Sequence, residues 1–126
     1  MAMRWFNKPK PKEIWEEPAA LQLGDIEAAH RIRDICRSAS DSAAKAAAPD
    51  SKNRQDEFQR YERAARAAME TAMKVGDDLL RDSAVRQIVD LCFMADDQRT
   101  ARILFRAIQA ASIREDVLRD HPQLET

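Results

Sequence analysis

The chain has 126 residues, enough for one domain with a real hydrophobic core. Its 21 lysines and arginines nearly balance 22 aspartates and glutamates, and the net charge of -1 excludes a global positive field that would attract nucleic acid or an anionic membrane. A hydrophobic content of 44% excludes a chain that stays unfolded, and only two glycines, neither in a phosphate-binding pattern, exclude a P-loop or a dinucleotide fingerprint.

The cysteines and the N-terminal residues indicate the compartment. Cys36 and Cys92 are far apart in segments predicted as helix, so we interpret them as core residues and not as a disulfide. The apolar run at residues 91–95 is much shorter than the roughly 20 residues that a membrane-spanning helix needs. Residues 1–12 carry positive charge without a following apolar stretch, which does not fit a secretory signal. We therefore expect a cytoplasmic protein.

Abundant alanine and the absence of alternating β-branched runs predict an all-α chain. Proline and glycine divide it into four predicted helices, over residues 25–48, 51–75, 78–95 and 97–119. Pro49 ends the first helix and Gly76 ends the second. Because these two helices have matched lengths and a short turn between them, an antiparallel hairpin is favoured. The prediction is an antiparallel bundle of about four helices in one domain, residues 19–126, preceded by an extended arm, residues 1–18.

The predicted helices differ in the width of their apolar faces. Beyond Cys36, the apolar stripe of the first helix consists of alanine alone, which lets another helix approach closely. The third and fourth helices carry groups of adjacent apolar residues, so each must be central or must cover a second face with another chain. Ser112 followed by Glu115 fits a capping box, which would allow the fourth helix to break and restart there.

One pair of residues has a metal-binding spacing. Glu27 and His30 form a Glu-x-x-His pattern, which directs both side chains inward in di-iron helical bundles. Such a site needs a second pair, but Leu118 stands three residues before His121. An ion pair between Glu27 and Arg31 is the simpler interpretation. We expect no metal site, no cofactor and no catalytic residue, so the chain is not predicted to be an enzyme.

Three arginines line one side of the fourth predicted helix. Arg99, Arg102 and Arg106 follow one another at spacings of three and four, after a turn that contains Asp96 and Asp97. This arrangement loosely resembles the recognition helix of a helix-turn-helix protein. The net charge and the two aspartates favour a solvated face or a contact with carboxylates, and nucleic-acid binding is the alternative.

The N-terminal arm concentrates aromatic and basic residues. It contains both tryptophans, Trp5 and Trp15, together with Phe6 and Ile14, and its Lys-Pro-Lys-Pro-Lys stretch predicts an extended, polyproline-like backbone. Large aromatic side chains in a terminal segment need a surface that covers them. That surface is the chain's own bundle, a second copy, a partner protein or the headgroup layer of a membrane, where binding would be peripheral.

We predict a non-enzymatic helical module for protein–protein interaction: an adaptor, an assembly factor or a small regulator. The expected contact residues are the large apolar side chains of the arm and of the last two predicted helices: Trp5, Phe6, Ile14, Trp15, Phe93, Met94 and Phe105. The partner is another protein or a second copy of this chain. The alternatives are a nucleic-acid-binding regulator that uses Arg99, Arg102 and Arg106, and a peripheral membrane protein that uses the arm.

Overall fold

The computed structural model describes residues 13–16 and 24–125, which contain five α-helices and no β-strand. The helices are α1 (Asp25–Ala47), α2 (Arg54–Ala72), α3 (Asp78–Met94), α4 (Gln98–Ala107) and α5 (Ala111–Asp120), with short 3-10 turns at Ile14–Glu16 and Pro122–Glu125. The all-α prediction is confirmed. Over the same residues, no helix combines the length and the apolar character that crossing a bilayer requires.

The region predicted as one fourth helix, residues 97–119, consists of two helices, so the structure has five helices where four were predicted. α4 ends at Ala107 and α5 begins at Ala111. The predicted capping box at Ser112 does not start α5, because its N-cap is Ala110, which makes no side-chain capping bond. A carboxylate on a different helix, Asp82 of α3, accepts the backbone N–H groups of Gln109 and Ala110 at 3.1 and 2.9 Å.

α2 is shorter at both ends than the predicted range of residues 51–75. Its N-cap is Asn53, without a side-chain bond, and the chain before it forms a turn in which the Ser51 N–H donates to the Ala48 carbonyl. After Ala72, the N–H groups of Lys74 and Val75 each donate to a carbonyl three residues earlier. Such bonds belong to a 3-10 conformation, which ends the α-helix ahead of Gly76.

α3 lies at the centre of the described structure, where it packs against α1, α2, α4 and α5. Its fully buried side chains include Ile88, Val89 and Cys92. α1 and α2 pack together, and both contribute fully buried alanines to the core, among them Ala39 and Ala43 of α1 and Ala64 and Ala68 of α2.

The 3-10 turn at Ile14–Glu16 is fixed to the bundle by Arg60 of α2. The Arg60 guanidinium donates to both carboxylate oxygens of Glu13, at 2.9 and 3.1 Å, and also to the Ser42 hydroxyl of α1. It lies 4.8 Å from the ring centroid of Trp15, which is only 7% exposed. The root of the predicted arm therefore packs within the chain, through a cation–π contact and a bidentate ion pair.

Both cysteines are free thiols, and Cys92 is more deeply buried than Cys36. Burial, the largest cause in each case, raises the pKa of both thiols to about 12. An unfolded thiol ionises near pH ~8.5. The stabilisation of the folded chain by its neutral thiols is therefore fully present below that pH, and it is lost as the pH rises toward 12.

We expect both thiols of the native chain to be alkylated by iodoacetamide at pH 8 at least about a hundredfold more slowly than in the urea-unfolded chain, because the thiolate is the reacting species. Cys36, which is partly exposed, should react before Cys92. Mass spectrometry of timed samples measures both rates. Equal rates in native and unfolded chains would show that the thiols are not held in a buried environment.

Candidate functional site

The predicted metal-binding pair lies on the surface. Glu27 and His30 are both exposed near the start of α1. Among residues 13–16 and 24–125, no group of three histidine, cysteine, aspartate or glutamate side chains is placed to hold a metal ion. The structure therefore brings no further ligand to this pair from the described part of the chain.

The aromatic residues predicted to contact a partner have different environments. Trp5 and Phe6 lie outside the described residues. Ile14 is partly buried and Trp15 is buried, both as part of the bundle core. Phe105 is 7% exposed and packs under the guanidinium of Arg114, which lies 4.3 Å from its ring centroid. Trp15 and Phe105 thus stabilise their own chain and leave little side-chain surface for a partner.

Phe93 and Met94, at the end of α3, are also separated by the fold. Phe93 stacks on His121 with 4.0 Å between ring centroids, and the His121 Nε2 lies 2.8 Å from the Asp90 carboxylate. Phe93 therefore anchors the C-terminal turn. Met94 is 44% exposed and lines a cleft between α1 and α3. Of the predicted contact residues in the described ranges, Met94 is the only one with a well exposed side chain.

Four large apolar side chains in the described part of the chain are more than half exposed and were not among the predicted contact residues: Ile26, Met73, Leu79 and Ile103. Met73, directly after α2, is 77% exposed, and Ile103 of α4 is 55% exposed. Apolar periodicity alone predicts burial for both of them. The exposure of Ile103 could have been predicted from its position between Arg99 and Arg106, at spacings of four and three, because residues so spaced share one helix face. A side chain in the middle of an arginine row faces away from the core.

A groove lies between α2 and α4, which both pack on α3. The groove has a volume of ≈ 260 Å³. Its lining residues come from both helices: Tyr61, Glu62, Ala65, Arg66 and Met69 from the α2 side, and Asp97, Thr100 and Leu104 from the α4 side. Met73 and Ile103 are not lining residues, but Met73 follows Met69 by one helical turn and Ile103 directly precedes Leu104.

Two residues that line the α2–α4 groove, Tyr61 and Asp97, are joined by a hydrogen bond. The Tyr61 hydroxyl donates to one Asp97 carboxylate oxygen at 2.8 Å, while the other oxygen accepts the Thr100 N–H at 3.2 Å and caps α4. Burial, followed by the neighbouring Cys92 and Asp97, raises the pKa of the Tyr61 phenol. The phenol therefore stays protonated at neutral pH and remains a hydrogen-bond donor that links α2 to the start of α4.

The arginines of α4, and Arg66 in the groove lining, differ in their contacts. Arg66 lines the groove, and Arg99 and Arg106 flank Ile103; all three are exposed, with no hydrogen bond or ion pair to another described residue. Arg102 instead donates to the Gln123 carbonyl of the C-terminal turn at 3.0 Å. The predicted row of three arginines is thus divided between one that holds the chain's own C-terminal turn and two that face solvent beside Ile103.

Comparisons of this chain with protein-family models, with curated proteins and with solved structures found no match. The α2–α4 groove and its charges are therefore the basis for a functional hypothesis.

Proposed function

We propose that this chain is a non-enzymatic helical interaction module, an adaptor, assembly factor or small regulator, which binds an acidic, apolar segment of a partner protein in the α2–α4 groove. The observation that carries the proposal is the exposure of Met73 and Ile103, because Met73 lies one helical turn beyond Met69 and Ile103 directly precedes Leu104, and both Met69 and Leu104 line the groove. Covering such a side chain stabilises a complex by about 1.5–3 kcal/mol when burial is complete. Methionine also adapts to partners of different shape.

Unpaired arginines indicate the chemistry of the partner. Arg66 lines the groove, and Arg99 and Arg106 flank Ile103 on the solvent side of α4. None of these arginines is paired with a described residue, so they are available for carboxylates. Complementary charge increases the association rate and selects against wrong partners. A nucleic acid fits less well, because the groove includes the acidic Glu62 and the apolar Ile103 lies between two of the arginines.

The bundle supplies a rigid support for this groove in the proposal. We propose that α1, α2 and α3 are antiparallel in sequence order. Asp25, at the start of α1, accepts the N–H groups of Gly76 and Asp77 beyond the end of α2. Arg54, at the start of α2, donates to the carbonyl of Ala46 near the end of α1. The proposed location is the cytoplasm.

A photoreactive amino acid placed at position 103 tests the proposal in cells of the source organism. We expect it to form a cross-link with a partner protein that contains an acidic, apolar segment. The matched control carries the same amino acid at position 79, because Leu79 of α3 is 61% exposed and neither of its chain neighbours lines the groove, whereas Ile103 directly precedes the lining residue Leu104. The purified partner should then bind the unmodified chain in calorimetry and lose affinity for the Ile103→Glu variant.

Three outcomes would contradict the proposal. A cross-link from position 103 to RNA or DNA would favour the nucleic-acid alternative. A cross-link only to a second copy of this chain would show self-association and not binding to a different protein. Equal cross-linking from positions 103 and 79 would show that the groove has no special role.

A further inference from the structure

We infer that the cleft between α1 and α3, the α1–α3 cleft, is a second docking surface, which binds a segment of a partner protein with a large apolar side chain beside two carboxylates. The α1–α3 cleft has a volume of ≈ 470 Å³, and its lining runs over residues 33–40 and 87–94, two helical turns of each helix. No described residue lines both this cleft and the α2–α4 groove, so the inference goes beyond the proposed function. The lining residues that carry it are Arg33, Cys36 and Arg37 of α1, and Asp90, Leu91 and Met94 of α3.

The apolar residues of the α1–α3 cleft have different depths. Leu91 is 2% exposed and Cys36 is partly buried, so both lie deeper than the edge of the cleft. Burial raises the pKa of the Cys36 thiol to about 12, so at neutral pH this residue carries no charge. Met94 is 44% exposed and offers an adaptable apolar side chain at the edge. A large apolar side chain of a partner would cover Met94 and remove this surface from water.

The unsatisfied charge of the α1–α3 cleft is positive. Arg37 is exposed, and its side chain has no hydrogen bond or ion pair with another described residue. Arg33 pairs with its sequence neighbour Asp34 at 3.3 Å, and both side chains are more than 40% exposed, so this pair contributes little. The acidic lining residue, Asp90, is already in contact with the His121 Nε2 at 2.8 Å. Carboxylates of a partner would therefore complement the two arginines.

The spacing of the arginines and the shape of the cleft indicate the kind of partner. Arg33 and Arg37 are one helical turn apart, about 6 Å along the axis, so two carboxylates at this separation would reach both of them. A small molecule fits less well, because small-molecule sites enclose most of their ligand, whereas this cleft has walls from two helices and an exposed edge. A nucleic acid is disfavoured because Asp90 would face its phosphates.

Disulfide capture at position 94 tests this inference on the full chain. In the Met94→Cys variant, a thiol at the edge of the cleft exchanges with a cysteine-containing peptide, and at equilibrium in a redox buffer the captured fraction follows the non-covalent affinity of the peptide. The probe is a helix-forming peptide with a leucine, two glutamates four residues apart and a cysteine on a short glycine linker. Matched peptides carry glutamines or lysines in place of the glutamates. The unmodified chain at pH 8 is the blank, because its own thiols are protonated.

We expect the glutamate peptide to be captured with an equilibrium constant at least about threefold larger than that of the glutamine peptide, because two exposed ion pairs form. The lysine peptide should be captured least. Arg33→Gln combined with Arg37→Gln should abolish the preference for glutamates, and replacing the leucine of the probe by serine should weaken capture at least about threefold. Leu79→Cys is the matched control, since Leu79 is 61% exposed on the same helix but does not line the cleft. It should not favour the glutamate peptide.

Four results would overturn the inference. Equal capture of the three peptides would show that the arginines do not select carboxylates, and a preference for glutamates that survives removal of both arginines would place the binding elsewhere. A disulfide-linked dimer of Met94→Cys chains in place of peptide capture would assign the α1–α3 cleft to a second copy. Binding of a labelled single-stranded RNA that requires Arg33 and Arg37 would assign the arginines to phosphates. The cross-linking experiment at position 103 decides the proposed function independently of these results.

Discussion

Asp82→Ala is expected to lower the free energy of unfolding by about 3 kcal/mol, because two hydrogen bonds to a charged acceptor are lost and both donors are left without it. Asp82 is only 1% exposed, and its Oδ2 accepts the N–H groups of Gln109 and Ala110 between α4 and α5. Urea denaturation followed by circular dichroism measures the change.

The connection between α4 and α5 depends on two charged residues of opposite sign. The carboxylate of Asp82, a residue of α3, accepts the N–H of Ala110 at the start of α5. Arg114 of α5 donates to the carbonyls of Phe105 and Ile108 at the end of α4. Each charge is favourable at its position, since a helix carries partial positive charge at its start and partial negative charge at its end. Removal of either side chain leaves backbone groups of the connection without an intramolecular partner.

Asp78→Ala is the control for this prediction. Asp78 is the first residue of α3 and its exposed carboxylate pairs with Arg81 at 3.0 Å, so its replacement should cost less than about 1 kcal/mol. If both variants lose the same stability, Asp82 does not maintain the break between the two helices.

The second large effect is expected from enlarging a core alanine of α1. Ala43→Leu should destabilise the chain by about 2–3 kcal/mol, because Ala43 is fully buried and three added carbons must displace the surrounding core or adopt strained rotamers. The neighbouring substitution Ala44→Leu is a matched control, since Ala44 is exposed on the same helix. It should change the stability by less than about 0.5 kcal/mol.

Thermal and urea unfolding of the two leucine variants measure this difference directly. A loss for Ala43→Leu no greater than for Ala44→Leu would mean that the core around Ala43 is not closely packed, and it would contradict the burial of this residue in the structure.

Much of the helical structure follows from local sequence features. Pro49 cannot continue α1, which ends at Ala47, and aspartates stand directly before α3 and α4. Asp77 accepts the Leu80 N–H at 2.9 Å at the start of α3, and Asp97 caps α4 through Thr100. These interactions join residues three positions apart, so the sequence pattern alone is enough to predict them.

The sequence was less informative where distant residues decide the outcome. The break between α4 and α5 depends on Asp82, which is 27 and 28 residues away from the two amides it accepts. The local capping pattern at Ser112 indicated a break in this region, but the carboxylate on α3 decides where the connection lies. The burial of Trp15 likewise depends on Arg60, which contacts the Trp15 ring and pairs with Glu13, 47 residues before Arg60 in the chain.

The sequence by itself determined that this chain is helical, and it determined most helix starts, because propensity, capping and apolar periodicity act between neighbouring residues. Only the tertiary structure decided which apolar residues are covered. Ile103 and Leu104 are adjacent in sequence, yet Ile103 faces solvent beside Arg99 while Leu104 is buried and lines the groove. The reason is that a groove forms where two helices pack on a third without closing over it, and a periodic pattern within one helix contains no information about how its neighbours are placed.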